Sequence, residues 1–322
     1  MSRLILRKLG LLIVLVPLLH LFGAWYVYKY NGYFYPPKPI VIMTENGRTD
    51  GVQFDTQPFM TSYRETISAM ANGDLGRINE DRTKVNEYID DFIIRSAKLL
   101  GVAFLTTIVL GLGMCLLAIS PRTGRISPVM VSMFTLGNAI PGFFLGSLLI
   151  LALLYAKRMG WTNQLLLPVQ GYSTAKHMIL PALILALRPA FYIASIGAGL
   201  LENEFQQDYV RFAKSKGLRW RTIVRRHAIP NVAPAVFASL GRGLQMVVGS
   251  LVLVEALFDW RGVGWMLFNT LTNEKAITFF NPLILSLLLA LLGAVLIAVD
   301  LLASVLSLWI NPLGRHASAG RG

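Results

Sequence analysis

A single cysteine, Cys115, occurs in 322 residues, and it lies inside an apolar run. No intrachain disulfide can form, and a cysteine metal cluster is ruled out. Charge is scarce as well. Asp, Glu, Lys and Arg make up 15% of the chain against 54% hydrophobic residues, whereas soluble domains carry about 25% charged residues. That deficit argues against a soluble enzyme and against a disordered chain, and for an integral membrane protein. Catalytic signatures are also missing. There is no G-x-x-x-x-G-K-[ST] phosphate loop, so the chain is not expected to bind ATP itself. There is no G-x-S-x-G, no H-E-x-x-H, and no paired His and Cys at metal-ligand spacing. An intramembrane protease would need paired Asp, or Ser with His, at membrane depth, and neither pattern is evident. No low-complexity tract or internal repeat stands out.

Long apolar sequence is what the chain has in quantity. A bilayer core of about 30 Å requires roughly 20 mostly apolar residues in a helix. Six stretches qualify: Leu9 to Val27, Ile94 to Ile119, Val129 to Leu154, Met178 to Leu201, Val232 to Phe258, and Pro282 to Ile310. The fold class expected is all-α, a polytopic membrane protein with six transmembrane helices. Arg3, Arg7 and Lys8 before the first stretch imitate a signal peptide. The run is too long for one, and Trp25, Tyr26 and Tyr28 follow it as an interfacial belt. Within the third stretch, Asn138, Pro141 and Gly142 predict a break.

The formal net charge is +13. Its cations fall at the amino terminus, at Arg122 and Arg125, between Arg211 and Arg226, and in the tail at Arg315 and Arg321. With six spans all four groups share one side, which the positive-inside rule makes the cytoplasm. The expected location is the plasma (inner) membrane of a prokaryote, with both termini cytoplasmic. Nucleic acid is not an expected partner, because the surplus is a topology signal. The domains expected are an N-terminal helix over 1–30, an extracytoplasmic segment over 31–91, a five-helix core over 92–310, and a cytoplasmic tail over 311–322. In the second of these Pro36, Pro37 and Pro39 break any helix, and the polar stretch from Tyr63 onward has room for short helices.

The cytoplasmic loop over 202–230 carries the most information. Phe205, Tyr209 and Phe212 fall on one helical face, Gly217 interrupts, and Trp220, Ile223, Val224 and His227 follow at helical spacing. This predicts a helix from Glu204 to Lys216 and a second short helix. Two readings of the pair stand side by side: helices resting on anionic lipid, or an element docking into a groove of a partner protein.

Asp208-Tyr209-Val210-Arg211-Phe212-Ala213-Lys214-Ser215-Lys216-Gly217-Leu218, followed by Arg226-His227-Ala228-Ile229-Pro230-Asn231, resembles the signature loop of ABC-importer permeases of the dipeptide, oligopeptide and nickel branch. Ala213, Gly217 and Pro230 match the family's EAA–Gly–Pro offsets. Arg211 and Phe212 replace the Glu and first Ala, as is usual in this branch, and His227 stands in for an Ile. Gly73-Asp74-Leu75-Gly76, Leu166-Leu167-Pro168, Ile179-Leu180-Pro181 and Glu255-Ala256-Leu257-Phe258-Asp259-Trp260-Arg261-Gly262-Val263-Gly264 resemble further family elements in the same order. The resemblance covers Met60 to Pro312. Arg261 departs from the usual Pro, Glu274-Lys275 and Phe279 to Pro282 replace an Arg-Asp-Tyr-Pro, and Asn311-Pro312-Leu313 replaces a D-P-R.

The resemblance implies a type I ABC importer permease core, non-catalytic, with ATP and magnesium held by a partner and no cofactor bound by this chain. It implies a second homologous permease subunit, two cytoplasmic ATP-binding subunits and an extracytoplasmic solute-binding protein, all at a lipid bilayer. Peptides are the expected cargo, with nickel or another small solute as the alternative; a membrane scaffold or intramembrane enzyme is the rival outside transport. ATPase coupling is expected at Phe205, Asp208, Tyr209, Phe212, Ala213, Gly217, Leu218, His227 and Pro230. Ionisable residues at membrane depth are costly, by about 2.5–3.5 kcal/mol. Arg188 and Arg242, with Gln245, Met246 and Asn138, are candidates to line a translocation path; the alternative is that the two arginines snorkel or pair with Asp300. His20 is expected to be a packed polar residue, and Glu255 to serve a helix end.

Overall fold

The apolar runs fold as long helices because no water is available in a bilayer to satisfy a backbone left open. The computed structural model describes residues 2–31, 39–43, 49–54, 58–75, 77–78, 83–161, 167–272 and 283–310. The sequence features at Gly76, Leu166, 273–282 and 311–322 lie outside the described residues.

In chain order the helices are α1 (Ser2–Asn31), α2 (Phe59–Ala71), α3 (Val85–Leu117), α4 (Pro128–Ala139), α5 (Gly142–Arg158), α6 (Lys176–Phe205), α7 (Asp208–Ser215), α8 (Trp220–Ile223), α9 (Ile229–Leu257), α10 (Val263–Thr272) and α11 (Leu283–Ile310). Five helices are long and apolar enough to cross a membrane. A sixth crossing results if α4 and α5, which meet at 96°, count as one. The third predicted span is therefore broken, not straight. Ile140 is extended before Pro141, whose ring disfavours helical geometry in its predecessor, and α5 restarts at Gly142. Gly142 and Gly146, one turn apart, let α5 lie across α6 and the end of α9. A Cβ on Gly142 would come 3.2 Å from the Ile184 carbonyl oxygen, and one on Gly146 would come 3.0 Å from Leu257.

Close helix approach elsewhere also depends on small residues. Where α3 crosses α6, a Cβ on Gly197 would sit 2.7 Å from Cys115 Sγ. The helix α1 lies on α11, with Gly23 against the Ser286 backbone. Polar groups reinforce that seam. His20, buried, shares hydrogen bonds with Tyr63 (3.1 Å) and Ser286 (3.2 Å). Lys8 forms an ion pair with Asp300 and donates to the Ser304 hydroxyl. Asp300 thus has its counter-ion on α1, and neither Arg188 nor Arg242 is its partner.

The segment between α1 and α3 adds two short strand pairs to this all-α bundle. Pro39–Met43 (β1) and Thr49–Phe54 (β2) form an antiparallel hairpin pairing Pro39 with Phe54, and Arg77–Ile78 (β3) pairs with Thr83–Lys84 (β4). The β-branched run Ile40-Val41-Ile42 carried the strand signal. The membrane-spanning portion is entirely helical among the described residues.

Candidate functional site

Two regions concentrate polar side chains, at opposite ends of the bundle. At the first, α6 ends at Phe205 and the chain turns at Gln207, whose extended backbone caps α7. This turn divides the predicted Glu204–Lys216 helix, so Phe205, Tyr209, Phe212 and Ala213 do not form one ridge. Phe205 belongs to α6 and is 3% exposed. Val210 and Ala213 face inward into a cluster with Phe205, Ile223, Ala228 and Val232. Ala213 therefore packs against its own chain. Phe212, 60% exposed, Tyr209 and Leu218 face outward, as does Asp208, which sits 3.4 Å from Arg211.

Gly217 ends α7 at φ +75. Its N–H donates to the Lys214 carbonyl (2.9 Å) and the Leu218 N–H to the Ala213 carbonyl (3.2 Å), the paired bonds of a Schellman cap. A Cβ on Gly217 would meet no neighbour; only the positive φ calls for glycine.

The second predicted short helix is not separate. α8 passes through a π-helical turn, Val224–Ala228, directly into α9. Pro230, in the first turn of α9, has no N–H to give to that turn, and a widened turn accommodates its ring. His227 sits in the turn, its ring 6.3 Å from that of Tyr209. A polar tether absent from the sequence-based site ties these pieces together. The Tyr209 hydroxyl donates to Glu204 at the end of α6, and Asn231 of α9 donates to the same carboxylate oxygen at 2.7 Å. Burial first, and then the Glu204 carboxylate, push the Tyr209 phenol up to about 12. Glu204 lies in the 202–230 loop and Asn231 closes the quoted motif, but their partnership spans 27 residues and has no short-range signature.

The path candidates divide. Arg188 on α6 is exposed, and its Nε donates to the Asn138 carbonyl of α4 at 3.3 Å, so these two residues come together. Arg242 is exposed on α9. Its neighbours Gly241 and Gly243 abut Ala303 of α11 and Ile193 of α6. Arg242 therefore occupies the remaining face, which Ala235, Ala238 and Gly249 continue, all exposed. Gln245 and Met246 are half-buried beside it.

At the opposite end, Glu255 is fully buried. Its carboxylate accepts from the Ser96 hydroxyl (2.6 Å) and from the N–H groups of Gly264 (2.7 Å) and Trp265 (3.1 Å) at the start of α10. It holds the α9–α10 corner closed, the helix-end role its position suggested. The Trp260 indole donates to the Arg95 carbonyl at 3.3 Å, and the guanidinium groups of Arg95 (4.5 Å) and Arg261 (5.1 Å) both lie over the Tyr172 ring. Where the family pattern has proline, Arg261 adds a cation to this aromatic corner. Among the described residues no group of three or more His, Cys, Asp or Glu side chains can hold a metal ion.

A bundle of long apolar helices, one pair of them sharply bent, with a short half-exposed helix pinned between two of the spans, is the architecture of a multi-pass membrane protein. Residues 92–313 match the binding-protein-dependent transport system inner membrane component, and the chain belongs to that family. It is a non-catalytic permease component and a multi-pass protein of the inner membrane. Among curated proteins it is similar to the oligopeptide transport system permease protein OppB of Salmonella typhimurium, 28% identical over 263 residues covering 80% of this chain and 81% of the relative. OppB of Haemophilus influenzae is 28% identical over 263 residues, covering 81% and 82%. The glutathione transport system permease protein GsiC of Pectobacterium atrosepticum is 25% identical over 260 residues, covering 81% of each.

Proposed function

We propose that this chain is the permease subunit of an ATP-driven importer of peptides. It forms half of a translocation path with a second homologous permease subunit and receives its driving force from two cytoplasmic ATP-binding subunits. ATP and magnesium belong to those partners, and an extracytoplasmic solute-binding protein delivers the cargo. Both termini and α7 face the cytoplasm, as the placement of basic residues favours. The observation that carries the reading is the construction of α7. Its inner face is packed and tethered to α6 and α9, while Phe212 and Leu218, with one edge of Tyr209, face outward and remain exposed. Such an element transmits a push from a docked partner to two spans at once. Asp208, Gly217, His227 and Pro230 shape that surface, and Phe205 and Ala213 form its packed base. The names of the similar permeases, for oligopeptides and glutathione, favour a peptide cargo. So do Arg188 and Arg242, which suit a carboxylate better than a nickel cation. Arg242, Gln245, Met246, Arg188 and Asn138 line the path in this reading.

The test is uptake of a labelled peptide by proteoliposomes holding the full transporter. Phe212→Ala should weaken ATPase retention about tenfold, the scale of an interface anchor, and lower uptake with it. Wild-type uptake and retention in that variant would remove α7 from the coupling route. Arg242→Gln should lower uptake while ATPase retention stays at the wild-type level.

A further inference from the structure

Near the α7 end a cleft of about 370 Å³ is lined by Leu116, Ile119, Leu201, Phe205, Trp220, Arg221 and Val224. We infer that this cleft is a binding site for a phospholipid with an anionic headgroup, its acyl chain in the cleft and its phosphate on Arg221 and Arg225. The volume lies within the roughly 300–1,000 Å³ that ligand cavities occupy. Depth is the first reason for a lipid occupant. The α3 span ends at Leu117, the α6 span ends at Phe205, and the next span begins at Trp220. Three boundaries between apolar and polar sequence therefore converge on the cleft, where headgroup and acyl chain of a bilayer meet. Its flank is apolar and open: Leu116 is 48% and Leu117 80% exposed. Trp220, its ring 4.4 Å from that of Phe205, is a residue type enriched at that level.

Charge is the second reason. Arg221 borders the cleft, Arg225 follows one turn later, and Lys214 sits 5.7 Å over the Trp220 ring. Arg221 and Arg225 are exposed, and their side chains have no hydrogen bond or ion pair among the described residues. The nearby carboxylates are all engaged elsewhere. Glu202 accepts the Ile126 N–H at 3.2 Å, Glu204 holds Tyr209 and Asn231, and Asp208 faces Arg211. Arg221 at the cleft edge, with Arg225 four residues further along the same helical stretch, thus lacks an internal anion among the described residues, and a phosphodiester supplies one with matching geometry. The inference needs the spans to cross a bilayer. It does not depend on the ATPase docking on α7, so either can fail without the other.

The test uses the full transporter purified from membranes holding phosphatidylglycerol and phosphatidylethanolamine, washed exhaustively in detergent, with retained phospholipid counted by mass spectrometry. The wild type should keep a stoichiometric anionic phospholipid. Arg221→Gln with Arg225→Gln should lower its retention about fivefold or more, with phosphatidylethanolamine unchanged. Arg221→Lys with Arg225→Lys should retain it, which separates lost charge from misfolding. Leu116→Trp, at the cleft edge, should lower retention with every cation in place. Equal phosphatidylglycerol retention in the wild type and the glutamine variant overturns the proposal. So does parallel loss of both lipids, and so does loss of ATPase subunits with lipid unchanged, which assigns the cleft to a protein partner.

Discussion

At the α9–α10 corner a fully buried carboxylate, Glu255, receives a hydroxyl and two backbone N–H groups of its own chain. At the α7 end Phe212, Leu218, Arg221 and Arg225 face outward, and among the described residues neither arginine side chain has an ion pair. One corner is closed by interactions that cannot be exchanged without loss of structure. The other has a packed base and an unsatisfied outer surface. The contrast separates a part of the molecule that must hold its shape from a part built to be completed by something else.

The largest effect is expected from opening the closed corner. Glu255→Leu removes the acceptor for three donors and leaves them buried. Unpaired buried groups cost about 1–3 kcal/mol each, so unfolding in an SDS titration should show a loss of about 3 kcal/mol or more. Glu255→Gln, which keeps one acceptor oxygen, should lose less. If Glu255→Leu unfolds at the wild-type midpoint, the corner is not held by this carboxylate.

A smaller, local effect is expected at Gly217. Valine there must take φ +75, a strain of about 1–3 kcal/mol, with no steric neighbour to add to it. ATPase retention and uptake should fall while the SDS unfolding midpoint of the spans stays near wild type; a shift in the midpoint equal to that of Glu255→Leu would erase the contrast between the two ends.

The α1–α11 seam lies between these extremes in construction. Lys8→Met or Asp300→Asn alone leaves one charge at membrane depth, and the pair of changes removes both. The single variants should each loosen α1, read as faster proteolysis within 32–58, and the double variant should recover most of the protection. Additive losses in the double variant would show that the ion pair does not couple the two helices.

The smallest effect concerns Tyr209. Burial and then the Glu204 carboxylate push its phenol up to about 12 from the ordinary 10.0. The folded state therefore holds the proton more tightly, and its contribution is complete below pH 10 and is lost as pH rises from 10 toward 12. Absorbance titration should place one tyrosine in that upper window, and Tyr209→Phe should remove it. A titration curve unchanged by Tyr209→Phe would count against the tether to Glu204.

The six apolar runs were legible because membrane insertion selects on composition and length, properties that a sequence displays directly. The Pro141 break and the Gly217 turn were legible for a similar reason: each is local backbone chemistry. The Glu204–Lys216 helix was misjudged because helical periodicity continues across Gln206 and Gln207 while the backbone does not. With the register broken there, Phe205 and Ala213 pack inward and only Tyr209 and Phe212 of the expected ridge remain outside. The strand pair formed by 39–43 and 49–54 is short and isolated in a mainly helical chain, which left it little trace in the sequence.

Composition and motif order alone determined that this is a multi-span membrane chain of the permease type, because those features need no long-range contact to be recognised. Tertiary structure alone decided which polar and charged groups meet. Asp300 pairs with Lys8, 292 positions away and not with either path arginine, Glu255 with Ser96 across 159, and Asn231 with Glu204 across 27. A charge in a membrane helix has several candidate partners in sequence, and only the packing of the helices against one another selects the one within hydrogen-bonding distance.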